Sequence, residues 1–255
     1  MDLGIADKTV LVTGGSRGVG RALVLALAGE GANVAFSYAS NRAAADEVVD
    51  AVRTRYGTGV RAVALAADLS AAEQAEGLYD AARDALGPID VLVNNAGIWL
   101  KGWATEISLA DWQRTMAVNA TAPFLLSRRL VRDLQAAGRP GKIINVTSQA
   151  AFFGSTTGHS HYAASKAALV AFTVSLAREV ARDGITVNAV ALGLVETDML
   201  ADALAADREY YEKRVPLGRL ATPGDIAGIV TFLASFLSDY MTGATLDATG
   251  GMLMR

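Results

Sequence analysis

Seven short apolar runs, near residues 8–13, 32–38, 61–66, 89–94, 141–146, 186–192 and 244–247, alternate along this chain with helical patterns near 18–30, 43–56, 71–86, 109–137, 162–182 and 224–237. The runs are continuous in Val, Ile and Leu, as strands covered on both faces require. Successive parallel strands need a crossover between them, and a helix is the usual one. The pattern therefore predicts an α/β fold, a doubly wound parallel sheet of about seven strands with helices on both faces. Gly31, Gly57, Gly87, Gly138 and Gly184 each stand just past a helical pattern, and Pro88 and Pro140 follow two of them. These are helix stops, because a left-handed residue is easily accommodated only as glycine.

A chain of 255 residues with 52% apolar content can bury one large core. Residues 1–255 are thus expected to form a single domain. Residues 193–222 break the rhythm with Glu196, Thr197, Asp198, the pair Tyr210-Tyr211 and Pro216. They follow the C-terminal end of a strand, where open α/β sheets bind ligands, so a lid over the site is expected there. The first eight residues include Asp2 and Asp7 and lack the basic start and apolar core of a secretory signal, and no apolar stretch reaches a membrane span. A cytoplasmic protein without membrane contact is expected. The absence of cysteine excludes disulfides, a thiol nucleophile and zinc-thiolate sites, and two histidines leave little for a metal cage. No metal is expected. A net charge of −3 argues against a nucleic-acid partner. The one basic stretch, residues 128–142, sets Arg128, Arg129, Arg132, Arg139 and Lys142 against Asp133 alone, and reads as a helix end facing solvent or another subunit.

Chemistry concentrates in four fragments: Thr13-Gly-Gly-Ser-Arg-Gly-Val-Gly20, Asn94-Asn-Ala-Gly97, Ser148, and Tyr162-x-x-x-Lys166. The first joins a strand to a helix, which is where a phosphate-binding turn belongs. Glycine lets backbone approach a pyrophosphate, and the helix N-terminus offers it unpaired N–H groups. This makes the predicted sheet Rossmann-type. Tyr162 and Lys166, spaced i, i+4, share one helix face. A free phenol titrates near ~10, so the expectation is that the Lys166 cation, helped by the positive charge of an oxidised nicotinamide, lowers Tyr162 into a useful range. Ser148 ends a strand at the ligand-binding edge. Asn119 stands in the middle of a helical pattern that its amide disfavours, a local misfit that suggests a task. Where an NAD-specific site carries an acid after the second strand, this chain has Phe36-Ser-Tyr-Ala-Ser-Asn-Arg42, so Arg17, Ser37, Ser40 and Arg42 are expected to receive a 2′-phosphate. His159 and His161 read as polar loop residues, and Trp99, Trp103, Phe152 and Phe153 as candidate walls of a substrate pocket.

In their order these fragments resemble the short-chain dehydrogenase/reductase family over nearly the whole chain, with further matches at Asp68-Leu69, Asn119, Asn188, Gly193 and Thr197. The resemblance implies that Asn119, Ser148, Tyr162 and Lys166 are catalytic. Tyr162 would be the proton donor and Ser148 the hydroxyl that holds the substrate oxygen. Lys166 would grip the nicotinamide ribose, and Asn119 would distort its helix and anchor a water leading to Lys166. It further implies NADPH held by Gly14, Ser16, Arg17, Gly18, Val19, Gly20, Ser37, Ser40, Arg42, Asp68, Leu69, Asn95, Ala96, Gly97, Tyr162, Lys166, Val195 and Thr197, with NADH less favoured. Asp68 would accept from the adenine amino group and Leu69 would pack on its ring. One departure is Leu192-Gly193, where the family has Pro-Gly; Leu frees φ and restores an N–H, so a looser or re-aimed loop is expected.

Within the family, Ala-Arg-Glu-Val180, Gly-Ile-Thr-Val-Asn188, Glu-Thr-Asp-Met199 and Gly-Gly-Met252 most resemble the 3-oxoacyl-[acyl carrier protein] reductases of fatty acid biosynthesis. The expected activity is NADPH-dependent reduction of a ketone, best a 3-oxoacyl thioester, to a secondary alcohol. Acyl carrier protein is a candidate partner, with Arg139 as a basic residue beside the active-site mouth and Arg182-Asp183 as a weaker companion. A homotetramer is expected by analogy. The alternatives are an NAD(P)-dependent dehydrogenase of a sugar, steroid or cyclic alcohol, and a non-catalytic module that senses NADP(H).

Overall fold

The computed structural model describes residues 2–155 and 157–254; Met1, Thr156 and Arg255, which the expected domain 1–255 includes, lie outside the described residues. The strands are β1 (Thr9–Val12), β2 (Asn33–Tyr38), β3 (Ala62–Ala66), β4 (Val91–Asn94), β5 (Gly141–Ser148), β6 (Ile185–Leu192) and β7 (Thr245–Ala248). They form one parallel sheet in the order β3-β2-β1-β4-β5-β6-β7. The helices are α1 (Gly18–Gly29), α2 (Arg42–Tyr56), α3 (Ala72–Leu86), α4 (Leu109–Met116), α5 (Ala122–Ala137), α6 (Ala150–Phe153), α7 (Ser160–Val180), α8 (Ala201–Lys213) and α9 (Pro223–Ala234).

Alternation along each strand builds two cores. Val10, Val12, Val34, Phe36 and Ile144 face α1, α2 and α9 through Leu23, Val48 and Ile226. Leu11, Leu92, Ile143 and Val187 face α3, α5 and α7 through Tyr79, Leu126, Leu130 and Val180. Both faces are sealed by apolar side chains, which is why the strands read as unbroken runs. Beyond β1 the chain winds outward to β2 and β3, then returns to β4 on the other side. That reversal opens a crevice past the C-terminal ends of β1 and β4, the place where open sheets bind ligands.

Three departures from the sequence reading have physical causes. The single helix expected over 109–137 is interrupted by a π-helical turn, Ala117–Thr121, that separates α4 from α5. The irregular stretch expected over 193–222 contains α8, whose Ala-rich start favours a helix until Asp207 breaks it at φ −159°, ψ 82°. The basic stretch is largely neutralised: Arg128 pairs with Glu76 at 2.5 Å, Arg129 with Asp80, Arg139 with Asp90 at 2.7 Å and Lys142 with Asp239 at 2.6 Å. The helix stops do take left-handed backbone, as at Gly138 after α5 with φ 61° and ψ 34°.

Candidate functional site

The exit of β1 is built from hydrogen bonds to the exit of β4. Thr13 Oγ1 accepts from the amides of Asn95 and Ala96, each at 2.9 Å, and Asn95 Nδ2 donates back to the Thr13 carbonyl at 2.9 Å. Asn95, expected at the cofactor, therefore directs its amide group at the glycine turn itself. The turn needs its glycines. Gly14 lies at φ 69°, and a Cβ on Gly20 would fall on the Gly14 carbonyl oxygen. The first turn of α1 has Arg17 at its N-cap with no side-chain cap and no acid, so backbone N–H groups there are free to take an anion. Ser16 and Val19 are half-buried and Arg17 is exposed beside this turn. The cradle thus fits the pyrophosphate of a dinucleotide.

Around it, the residues expected at the adenosine end fall into two groups. Ser40 and Arg42 are exposed just beyond β2, with Arg42 3.5 Å from Asp46. Ser37 is buried, and its oxygen accepts the Gly14 amide at 2.9 Å, so it belongs to the turn and can offer a phosphate its hydroxyl hydrogen. Asp68 is exposed and ionised easily, because the Ser70 amide and hydroxyl both donate to its Oδ1. Leu69 beside it is buried.

Past β4 and β5 the four expected catalytic side chains converge. In the π-helical turn Asn119 is fully buried; its Oδ1 accepts the Ile98 amide at 2.9 Å and its Nδ2 donates to the Ile98 carbonyl and to Ser165 Oγ, each at 3.0 Å. A Cβ on Gly97 would stand 3.4 Å from both Asn119 Oδ1 and Lys166 Nζ, so glycine leaves room beside those two groups. Lys166 Nζ donates to the Val146 carbonyl at 2.8 Å and lies 5.9 Å from the centre of the Tyr162 ring. The Ser148 hydroxyl accepts the Ala150 amide at 3.2 Å and lies where it eases ionisation of the Tyr162 phenol.

Burial dominates the electrostatics of the chain by itself. Burial pushes Tyr162 above the ordinary 10, opposed by Ser148. Burial also pulls Lys166 down, from 10.5 to about 8. The phenol is held neutral, as a proton donor, and the ammonium is destabilised until an anion or a dipole joins it.

The substrate side is framed by the loops after β4 and β5. His159 is the loop residue expected, though buried, whereas His161 lies inside a helix. His159 is buried, stacks on Trp99 with ring centres 4.2 Å apart, and meets the Leu100 carbonyl through Nδ1 at 2.8 Å; His161 is wholly buried within α7. Phe152 is half-buried, while Trp103 and Phe153 are exposed. Leu192 is held within the sheet. It pairs with Ser148 on one side and Ala248 on the other, and its carbonyl accepts the Gln149 amide at 2.9 Å. Beyond it, Val195 bridges to Ala221, and Thr197 packs where a Cβ on Gly18 would touch its Cγ2 at 3.3 Å. A cavity of about 410 Å³ opens there among Glu196, Thr197, Asp198, Ala201, Leu204 and Arg208. Arg208 spans Glu196 and Glu212 at 2.8 and 2.7 Å, a tie between loop and α8 that sequence reasoning missed because its partners lie twelve and four residues away in an irregular stretch. Arg139 is not beside this mouth in its own chain. It precedes β5, about 25 Å of strand from Ser148, and is paired with Asp90.

The family model described as "Enoyl-(Acyl carrier protein) reductase" matches residues 14–253. A 3-oxoacyl-[acyl-carrier-protein] reductase of Synechocystis sp. is 39% identical over 251 residues, 98% of this chain and 98% of that protein. Among solved structures, a short-chain type dehydrogenase/reductase from Mycobacterium marinum superimposes with a TM-score of 0.91 at 34% identity, covering 100% of this chain and 99% of the other. A blue fluorescent protein from a metagenomic library, solved in complex with NADPH, gives 0.88 at 40% identity over 99% of each chain.

Proposed function

The chain belongs to the short-chain dehydrogenase/reductase family, and from that premise we propose that it is an NADPH-dependent reductase of ketones, acting best on a 3-oxoacyl thioester. The observation that carries the reading is the convergence of Asn119, Ser148, Tyr162 and Lys166 past β4 and β5, with Ser148 acting on the Tyr162 phenol and Lys166 Nζ 5.9 Å from its ring centre. Two hydroxyls on one side suit a carbonyl oxygen, which accepts two hydrogen bonds as it gains charge. The family description names an enoyl substrate and the curated relative a 3-oxo one; the paired hydroxyls favour the oxo group.

NADPH, when bound, supplies the hydride. Gly14, Ser16, Gly18, Val19 and Gly20 would hold its pyrophosphate and Arg17, Ser40 and Arg42 its 2′-phosphate, with the Ser37 hydrogen as a further donor. Asp68 and Leu69 would take the adenine, and Ala96, Gly97, Val195 and Thr197 the nicotinamide half. Ser148 orients the substrate oxygen. Tyr162, kept neutral by burial, carries the proton for that oxygen. Lys166 holds the ribose hydroxyls and stabilises the phenolate left behind; a cation beside a phenolate lowers the cost of that state. Asn119, locked onto Ile98 and Ser165, keeps Lys166 and Gly97 in register. The proposal extends to a carrier-bound thioester, a cytoplasmic setting and a homotetramer, for which exposed Leu109, Trp112 and Phe124 on α4 and α5 offer apolar surface.

The test follows NADPH consumption with a 3-oxoacyl thioester on carrier protein, the same acyl group on a small thiol, and a panel of sugars and cyclic ketones. Thioesters should lead the panel, and Tyr162→Phe should lose about 10²- to 10⁴-fold in kcat with cofactor binding retained. A cyclic ketone or sugar that outruns both thioesters replaces the substrate assignment; a Phe variant with more than about a tenth of wild-type turnover removes the role of Tyr162.

A further inference from the structure

We propose that His159 is a positioning residue for Tyr162, and that its stack on Trp99 clamps the loop after β4 onto the first turn of α7. This rests on the ketone-reductase reading for its consequence, though not for its geometry.

The need arises at the N-terminus of α7. Tyr162 sits in its first turn, where helices fray, and the N-cap residue, His159, makes no side-chain hydrogen bond to the helix amides. The usual local device that would hold the first turn is therefore missing. In its place stand contacts that cross to another element. His159 Nδ1 bonds the Leu100 carbonyl at 2.8 Å, its ring lies on Trp99 at an interplanar angle of 25°, and the Gly102 amide donates to the Gly158 carbonyl at 2.9 Å. The His159 carbonyl meanwhile accepts the Ala163 amide at 3.0 Å, so displacement of His159 is felt at once by the helix. The other end of the loop is fixed, because Ile98 is held on both its amide and carbonyl by Asn119. The clamp thus links Asn119, through Ile98, Trp99 and Leu100, to the turn that carries Tyr162.

The chemistry of the ring is determined by its partner. A carbonyl only accepts, so Nδ1 carries the hydrogen, and burial favours the uncharged ring. His159 is therefore the neutral Nδ1–H tautomer and holds position without exchanging protons with substrate. Misplacement of a reacting group by ~1 Å can cost about 10²-fold, which sets the scale of the effect.

His159→Ala should lower kcat about 10- to 100-fold and leave the Kd for NADPH within about twofold, since the dinucleotide turn is built on β1 and α1. His159→Phe keeps a ring for Trp99 and should recover part of that loss, which also provides the test if the Ala variant fails to fold. Combining His159→Ala with Trp99→Ala should be no worse than the poorer single variant, because both remove one clamp. Nitrogen-15 spectra of the two imidazoles, assigned with the variant, should show His159 as the neutral Nδ1–H form. The proposal is overturned by a kcat within twofold of wild type in His159→Ala, by an NADPH Kd that weakens as much as kcat falls, by additive losses, or by an Nε2–H or charged ring. A wild type that reduces no ketone would instead remove the functional reading, while the spectra still decide the clamp.

Discussion

Replacing Lys166 by Met should make the protein more stable at neutral pH while it destroys activity. Lys166 is 3% exposed, and burial holds its ammonium at about 8 instead of 10.5. At about pH 7 it is charged both folded and unfolded, and the folded state bears the difference, roughly 3 kcal/mol at 1.36 kcal/mol per pH unit. Met fills similar space without charge but forfeits the hydrogen bond to the Val146 carbonyl, worth about 1–2 kcal/mol. A net gain of about 1–2 kcal/mol remains, which for a chain of this length raises Tm by roughly 3–6 °C. The sign of the pH dependence follows from proton counts. Between about 8 and 10.5 the unfolded chain binds the proton and the folded one has shed it, so wild-type stability rises with pH through that window and the Met advantage should close. Thermal unfolding of both proteins, followed by far-ultraviolet circular dichroism at about pH 7 and about pH 9.5, reads the difference, and other titrating groups cancel between them. A Met variant less stable than wild type at neutral pH, or a gap that does not narrow, would refute the reasoning.

Two further outcomes probe the cofactor half. Gly20→Ala places a Cβ on the Gly14 carbonyl and should weaken NADPH binding at least about 100-fold, about 3 kcal/mol, in a fluorescence titration; unchanged affinity would show that the turn opens freely. Arg17→Ala should raise the NADPH KM and barely move that for NADH, because only the former carries a 2′-phosphate. Equal losses with both cofactors would assign Arg17 to the pyrophosphate or to the turn instead.

The sheet was legible because parallel strands covered on both faces must be apolar throughout, and because glycine marks the helix ends. The π-helical turn left a trace too: Asn119 is a poor helix former with no exposed role, and its amide proves to be held by Ile98 and Ser165. What escaped depends on neighbours distant in sequence. Arg139 looks like a free cation until Asp90 is placed beside it. His159 is a loop residue whose burial shows only once the loop after β4 folds over it. Tyr162 and Lys166 share a helix face, as the spacing requires, yet the sign of the phenol's shift depends on how much water the cleft excludes, and that is a property of the whole site. Local pattern fixes backbone; burial fixes ionisation.

The π-helical turn Ala117–Thr121 has an evolutionary consequence. An α-helix advances about 100° per residue, and a π turn accommodates one residue more than the regular winding. Deleting a single codon in this stretch would draw α4 and α5 towards one regular winding, with Pro123, now in the first turn of α5, placed in the helix interior where it lacks an N–H. Asn119 or its successor would swing away from Ile98 and Ser165, and the loop that reaches Trp99 would lose its anchor. This fold is therefore exposed to loss by deletion at a point where substitution counts reveal little: a descendant could keep Ser148, Tyr162 and Lys166 in their usual order and still have lost the frame that aligns them.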